Sequence, residues 1–267
     1  MKINFNLSAI LLSFSMLFPS FIKGETKGIQ FGETEAEFFQ APSDKASGKT
    51  VLILPGGGYA HHAMDHEGYD WVSYFNNQGI NVAILKYMLP EGNSEIPFNE
   101  VKKTFNALKE KAGEWNINPN DIGIMGFSAG GHLASTYATH AKGEDVPAFQ
   151  ILFYPVVSMK EGITHRGSRD NLLGKDQNYK KVIFYSNEEQ VDSSTPPAII
   201  FHSNDDGAVV PDNSINYYMA LNKAGVPASL HIYPVGGHGW GFRESFPYHG
   251  VMLEELAVWL SQQNKKQ

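Results

Sequence analysis

The segment Ile124-Met125-Gly126-Phe127-Ser128-Ala129-Gly130-Gly131-His132 holds the residues most directly suited to chemistry. It reads as a short apolar strand that ends in Gly-x-Ser-x-Gly and passes at once into a helix. A serine on so sharp a turn exposes its hydroxyl with the positive end of the next helix behind it. Glycine at 126 and 130 keeps side chains clear of the neighbouring strand and helix. Because a serine hydroxyl is a weak nucleophile at neutral pH, a base is required. Of ten histidines, His238 has the best setting, in the glycine-rich loop Gly236-Gly237-His238-Gly239-Trp240-Gly241-Phe242 directly after a predicted strand. An acid must then orient the imidazole. Asn204-Asp205-Asp206-Gly207 follows the preceding predicted strand, and either aspartate could serve; Asp206 is the choice.

A fourth element lies in Leu54-Pro55-Gly56-Gly57-Gly58-Tyr59. Consecutive glycines let backbone N–H groups turn inward, so Gly57 and Gly58, with the amide of Ala129, are candidate donors to the oxyanion of a tetrahedral intermediate. A phosphate cradle is the rival reading of any glycine loop, but no Gly-Lys-Ser/Thr follows. His61, His62, Asp65, His66 and Glu67 crowd the next stretch. His62 and His66 are spaced to share a helical face as metal ligands, yet a serine-based site needs no metal, and a hydrogen-bonding role beneath the glycine loop is the simpler expectation. Neither metal nor cofactor is therefore expected. Tyr59, Trp240 and Phe242 flank the candidate loops as aromatic platforms for a sugar ring, and His61 is a candidate sugar contact. His132 is expected to bury itself against the sheet. His140, His165, His231 and His249 have no comparable context.

These residues need a frame. Val51 to Leu54, Asn81 to Tyr87, Ile122 to Met125, Phe149 to Tyr154, Ala198 to His202 and Ser229 to Tyr233 read as buried strands, most of them apolar on both faces. Between them, Glu67 to Asn77, Pro97 to Trp115, Gly130 to Thr139, Pro211 to Ala224 and Pro247 to Gln263 carry helical periodicity. In the second of these, Val101, Phe105, Leu108 and Ala112 form one stripe. The alternation predicts an α/β fold with a mostly parallel central sheet of about eight strands, flanked by helices on both faces, with Thr34 to Gln40 as an outer antiparallel strand. Sites in such sheets lie beyond the carboxyl ends of the strands, where the candidate residues fall. Met159 to Ser194 breaks the pattern. It is polar and reads as a small insertion over the site or as a surface excursion.

The chain has 267 residues, 42% of them hydrophobic, enough for one sizeable core. A formal charge of -7 argues against a nucleic-acid partner, and zero Cys excludes disulfides, thiolate nucleophiles and Cys-ligated metals. Residues 1–24, with the apolar run Ala9 to Phe18, read as a signal peptide too short to span a bilayer, so 25–267 is expected as one catalytic domain without stable membrane insertion, secreted or periplasmic. Oligomeric state is not legible.

Pro55 to Tyr59, Asp65-His66-Glu67-Gly68, Leu85-Lys86-Tyr87, Gly126 to Ser135, Ser186 to Pro197 and Gly236 to Gly239 resemble one branch of the α/β-hydrolase superfamily, the acetylxylan-esterase-like carbohydrate esterases. The resemblance covers nearly the whole chain after the leader. It implies Ser128 as nucleophile, His238 as base, Asp206 as acid, the glycine loop as oxyanion hole, and an acylated carbohydrate as substrate. The related hormone-sensitive-lipase-type esterases carry a His before the triple glycine; here Pro55 stands there. The implied activity is removal of small acyl groups, acetyl above all, from polysaccharides or oligosaccharides such as acetylated xylan. The alternatives are a broad small-acyl or feruloyl-type esterase, a prolyl-oligopeptidase-like peptidase, for which the chain lacks room for the usual accessory domain, and a non-catalytic glycan-binding protein.

Overall fold

The computed structural model describes residues 28–175 and 177–263; the expected leader at 1–24 lies outside them. Eight strands make one sheet: β1 (Ile29–Phe31), β2 (Ala36–Phe39), β3 (Thr50–Leu54), β4 (Asn81–Leu85), β5 (Ile122–Phe127), β6 (Gln150–Phe153), β7 (Ala198–Ser203) and β8 (Ala228–Tyr233). Their spatial order is β1-β2-β4-β3-β5-β6-β7-β8. β1 and β2 pair antiparallel, β2 pairs antiparallel with β4, and the rest of the sheet is parallel. β1 is the strand not anticipated from sequence; three residues with two of them exposed carry too little periodicity to read.

The helices are α1 (Val72–Asn77), α2 (Glu95–Glu110), α3 (Ser128–His140), α4 (Arg166–Leu173), α5 (Tyr179–Phe184), α6 (Asp212–Lys223) and α7 (His249–Gln263). Strand side chains alternate between two cores. Leu52 and Leu54 of β3 join Val101, Phe105 and Leu108 of α2, Leu133 and Tyr137 of α3, and Tyr217 and Leu221 of α6. Val51 and Ile53 face the other way, onto Phe75 of α1 and Met252, Leu256 and Trp259 of α7. Burial on both faces is why these strands read as continuous apolar runs. Each fully buried Leu, Ile or Phe contributes roughly 1.5–3 kcal/mol over its exposed state, which fixes strand register before any polar contact is considered.

Two helices depart most from the periodicity. α1 is short, and a 3-10 turn (Tyr69–Trp71) precedes it. The helical reading from Glu67 fails because Glu67 and Gly68 are buried in the loop that turns under the glycine segment. α2 ends at Glu110 rather than Trp115, the chain turning through a positive φ of 51° at Asn116.

The strand order reverses at β3, which has β4 on one side and β5 on the other. Leu54 lies opposite Gly126 in register. The glycine loop after β3 and the serine turn after β5 therefore leave adjacent carboxyl ends at the switch point, where an open α/β sheet forms its crevice.

Candidate active site

Ser128 is the first residue of α3 and sits at φ 51°, an unusual conformation for a residue with a side chain. The flanking glycines are required by contact. A Cβ on Gly126 would lie 2.3 Å from the Gly130 carbonyl oxygen, and one on Gly130 would lie 2.1 Å from the Leu54 carbonyl oxygen. Gly130 thus lets the turn approach the end of β3, and Gly126 lets α3 fold back on its own strand.

His238 and Asp206 meet Ser128 in line. The Ser128 hydroxyl lies 2.8 Å from His238 Nε2, and His238 Nδ1 lies 2.7 Å from Asp206 Oδ2. Since an ionised carboxylate only accepts, Nδ1 carries the proton and Nε2 is free to accept from serine. Asp206 has no exposed side-chain surface. Burial alone would raise its pKa, but hydrogen bonds from His202 and His238 and from the Val209 amide outweigh it and hold the carboxyl well below the usual carboxylate range. The choice between the two aspartates is resolved by contact: Asp205 accepts instead from the Gly237 amide at 2.8 Å, bracing the loop that carries His238.

Sequence reasoning missed His202. Its Nε2 donates to the Val209 carbonyl at 2.8 Å and lies 3.2 Å from Asp206 Oδ2, while Nδ1 accepts from the Ser214 hydroxyl at 2.7 Å. With the Ala208 and Val209 amides on Oδ1, both at 2.9 Å, Asp206 meets four donors. The available signal was weak: a histidine four residues before the acid, at the end of β7.

The glycine loop abuts the serine turn. A Cβ on Gly56 would fall 2.8 Å from the Phe127 carbonyl oxygen and 3.0 Å from Ser128 Cβ. Gly57, at φ 132°, turns so tightly that a Cβ would lie 2.1 Å from the His61 carbonyl oxygen. Neither the Gly57 nor the Gly58 amide donates to a backbone carbonyl among the described residues. The Ala129 amide belongs to the first turn of α3, whose N–H groups have no intrahelical partner. The loop that carries two of the three expected donors thus adjoins, at Gly56, the turn that carries the third.

A second buried carboxylate holds this loop. Glu67 Oε2 accepts from the Gly56 amide at 2.8 Å and Oε1 accepts from the Tyr154 hydroxyl at 2.8 Å. The Tyr154 oxygen in turn accepts from the Gly241 amide at 2.8 Å, and its ring stands edge-on to His238, centroids 4.8 Å apart. The carbonyl of His66 accepts from Phe242 N and Trp71 Nε1. The crowded histidine and acid stretch is thus a brace between the glycine loop and the His238 loop. His62 and His66 do not share a helix, and among the described residues no group of three or more potential ligands could hold a metal ion.

The aromatic expectations need correction. Tyr59 is buried, its hydroxyl 2.9 Å from His132 Nδ1. Trp240 is buried too, stacked on Phe246 at 3.9 Å and donating to Ser203 Oγ at 3.0 Å. Phe242 packs on Trp71, Tyr74 and His249. Tyr59 and Trp240 complete the core beneath the loops and are not platforms facing a sugar, while Phe242 is half-buried against the same core. His61 remains exposed beside Gly57. His132 is buried, as expected, and burial lowers its pKa to about 4 despite the hydrogen bond to the Tyr185 carbonyl.

The polar insertion folds as α4, α5 and a 3-10 turn (Asn187–Glu189). Asn171 of α4 donates to the Gly58 carbonyl at 2.8 Å, and the Asn171 carbonyl accepts from Gly92 N at 2.8 Å. Through Asn171 it rests on the glycine loop.

Fold and site together define a class: an α/β-hydrolase whose serine, histidine and aspartate converge at the switch point of the sheet. Within it, the chain belongs to the BD-FAE family, whose model matches residues 37–221. It is similar to an acetylxylan esterase of Xylanibacter ruminicola, 46% identical over 221 residues that make up 81% of this chain and 46% of that protein. It is also similar to endo-1,4-beta-xylanase B of Butyrivibrio fibrisolvens, 30% identical over 74% of this chain and 33% of that protein. The chain spans about half or less of the length of these curated relatives. Among solved structures, an acetyl ester-xyloside bifunctional hydrolase from Caldicellulosiruptor lactoaceticus superposes with a TM-score of 0.79 at 32% identity, covering 86% of this chain and 89% of that one. The acetylxylan-esterase-like resemblance read from the motifs agrees with these relatives.

Proposed function

We propose that this protein is a serine esterase that removes acetyl groups from acetylated xylan or its oligosaccharides. The observation that carries the reading is the line from Ser128 through His238 to Asp206, with the glycine loop packed against the serine turn at Gly56. Ser128 Oγ attacks the ester carbonyl as its proton passes to His238 Nε2. The carbonyl oxygen becomes an oxyanion, held by the three amides. Collapse of the tetrahedral intermediate expels the sugar hydroxyl, which takes the proton from His238. Water, deprotonated by the same imidazole, then attacks the acetyl-enzyme; acetate leaves and Ser128 recovers its proton. Asp206 keeps the imidazole in one tautomer and balances its transient charge.

The xylan substrate is supported by the names of the relatives and by the polar insertion, whose α4 rests on the glycine loop. Residues 1–24 are read as a leader for export to the periplasm or beyond, which mass spectrometry of the mature N-terminus in a secreting host would check. The decisive assay is acetate release from acetylated xylan and xylo-oligosaccharides, with Ser128→Ala as control. Wild-type release, lost by on the order of 10⁵–10⁶-fold in the variant, is expected. Undiminished release by Ser128→Ala would remove the serine from the mechanism. Glycan binding without acetate release or fluorophosphonate labelling would make this a binding protein instead.

A further inference from the structure

The insertion delivers one more imidazole to the rim of the site. His165 immediately precedes α4 and caps it: its Nδ1 accepts from Ser168 N at 3.2 Å and lies 2.8 Å from Ser168 Oγ. A ring nitrogen that accepts a backbone N–H is unprotonated, so the neutral ring carries its hydrogen on Nε2, on the edge turned away from that bond. His165 Cε1, the carbon between the two nitrogens, would lie 3.9 Å from a Cβ on Gly58, so the ring leans over the oxyanion loop. Six residues further on, Asn171 ties the same helix to the Gly58 carbonyl at 2.8 Å. The ring is half-buried, and among the described residues no protein group accepts from its Nε2. Burial and then the charge of His238 lower its pKa, with Asp206 opposing, which puts it within electrostatic reach of the catalytic pair.

We propose that His165 is a specificity-determining residue whose Nε2–H donates to a free hydroxyl on the alcohol half of the ester. This rests on the esterase reading above and deepens it. An acetyl group offers only its carbonyl oxygen, which the Gly57, Gly58 and Ala129 amides claim, so a further donor has no use on the acyl side. The alcohol oxygen must sit beside His238 to receive its proton, and the His165 ring leans over Gly58 within electrostatic reach of that imidazole. A polyol or partly deacetylated sugar carries hydroxyls next to the ester; a simple alkyl ester carries none. A neutral donor also suits the place, since a second cation would oppose the imidazolium that forms on His238.

The test compares kcat/KM on glycerol monoacetate, which has two free hydroxyls, with that on ethyl acetate, which has none. His165→Asn keeps an oxygen that can cap α4 through Ser168 N but loses the distal donor. The wild-type enzyme is expected to favour glycerol monoacetate, and His165→Asn to reduce that preference by roughly three- to tenfold, mainly through KM. An unchanged ratio, an equal loss on both esters, or a wild-type enzyme without the preference would each overturn the assignment; equal loss would mark His165 as a helix cap only. Failure on acetylated xylan with the preference intact would sink the xylan substrate while leaving His165 in place. A wild-type enzyme that turns over neither ester would end the esterase reading and this assignment together.

Discussion

Glu67→Gln is a near-isosteric change at a residue that the mechanism never touches. The carboxylate is buried at 3% exposure and spends one oxygen on the Gly56 amide and the other on the Tyr154 hydroxyl. Both partners arrive as donors. A glutamine has one acceptor oxygen and one NH₂; with the oxygen on the Gly56 amide, the Tyr154 hydroxyl can take the NH₂ only as an acceptor and its own hydrogen loses its buried partner. An orphaned buried donor costs about 1–3 kcal/mol of stability. The catalytic cost arises one residue later, because Gly56 leads directly into Gly57 and Gly58. Complete removal of one oxyanion donor costs about 2.7–4 kcal/mol, so a loop that keeps its amides but loses their aim should forfeit about 1.4–2.7 kcal/mol. That is roughly a 10- to 100-fold fall in kcat with KM little changed. The assay is p-nitrophenyl acetate hydrolysis well below the thermal midpoint of each variant, with the midpoint recorded alongside. Tyr154→Phe breaks the same chain at its next link and orphans the Gly241 amide. The double variant should then be scarcely worse than the poorer single one. A Glu67→Gln enzyme within threefold of wild-type kcat, or effects of the two changes that multiply, would refute the argument that one polar chain aims the oxyanion loop.

Asp206→Asn should leave the fold intact and lower kcat by roughly 10³–10⁴-fold, because an amide facing Nδ1 stabilises the wrong tautomer; a loss under tenfold would contradict the geometry. His132, with its pKa lowered to about 4 by burial, binds fewer protons folded than unfolded, so stability falls as pH drops from about 6.5 towards 4, by about 3 kcal/mol at the end of that window. Denaturant midpoints at pH 7 and pH 4.5 should show this slope in the wild type and a shallower one in His132→Gln; equal slopes would assign the acid sensitivity elsewhere. Gly130→Ala places a methyl group 2.1 Å from the Leu54 carbonyl and should cost several kcal/mol or prevent folding, read as a lower thermal midpoint; a stable, active variant would mean the turn has more room than the contact distance allows.

The sheet was legible because its causes are local. Two-faced burial leaves apolar runs at β3 to β7, and the Val101, Phe105 and Leu108 stripe marks α2, so periodicity alone places most elements. Ser128 and His238 were legible because glycine must flank them, and glycine is visible in sequence. Hydrogen bonding beneath the glycine loop is expected of the stretch ending at Glu67, and Glu67 does accept from Gly56, but the brace's other partners were not legible. Nothing in the spacing of Glu67, Tyr154 and Gly241 links them, since the chain brings them together only after β3, β6 and the loop beyond β8 are in place. The aromatic residues misled for the converse reason. Trp240 does stand two residues after His238, but the loop turns through positive φ at Gly239 and Gly241, and the indole drops into the core. Sequence proximity to a catalytic residue says little about facing when glycine sets the path.

The proposed reaction creates a cation on His238 and an anion beside Ser128, and buried groups around the site bear on each charge. Asp206 accepts two amides on Oδ1 and His238 Nδ1 on Oδ2, and His202 Nε2, whose hydrogen goes to the Val209 carbonyl, lies 3.2 Å from that same oxygen. A carboxylate so satisfied cannot take the proton that His238 carries, yet its charge still stabilises the imidazolium. His202 shares that charge without swinging toward the nucleophile, since Ser214 and the Val209 carbonyl hold both of its nitrogens. His132, buried and neutral at working pH, places no competing cation behind the serine helix. On the anionic side, the Glu67 carboxylate accepts from the Gly56 amide, and Gly56 is the residue that separates it from Ser128. Charge separation in the transition state thus meets dipoles and hydrogen bonds set in place by folding, with no reorganisation left for the moment of reaction.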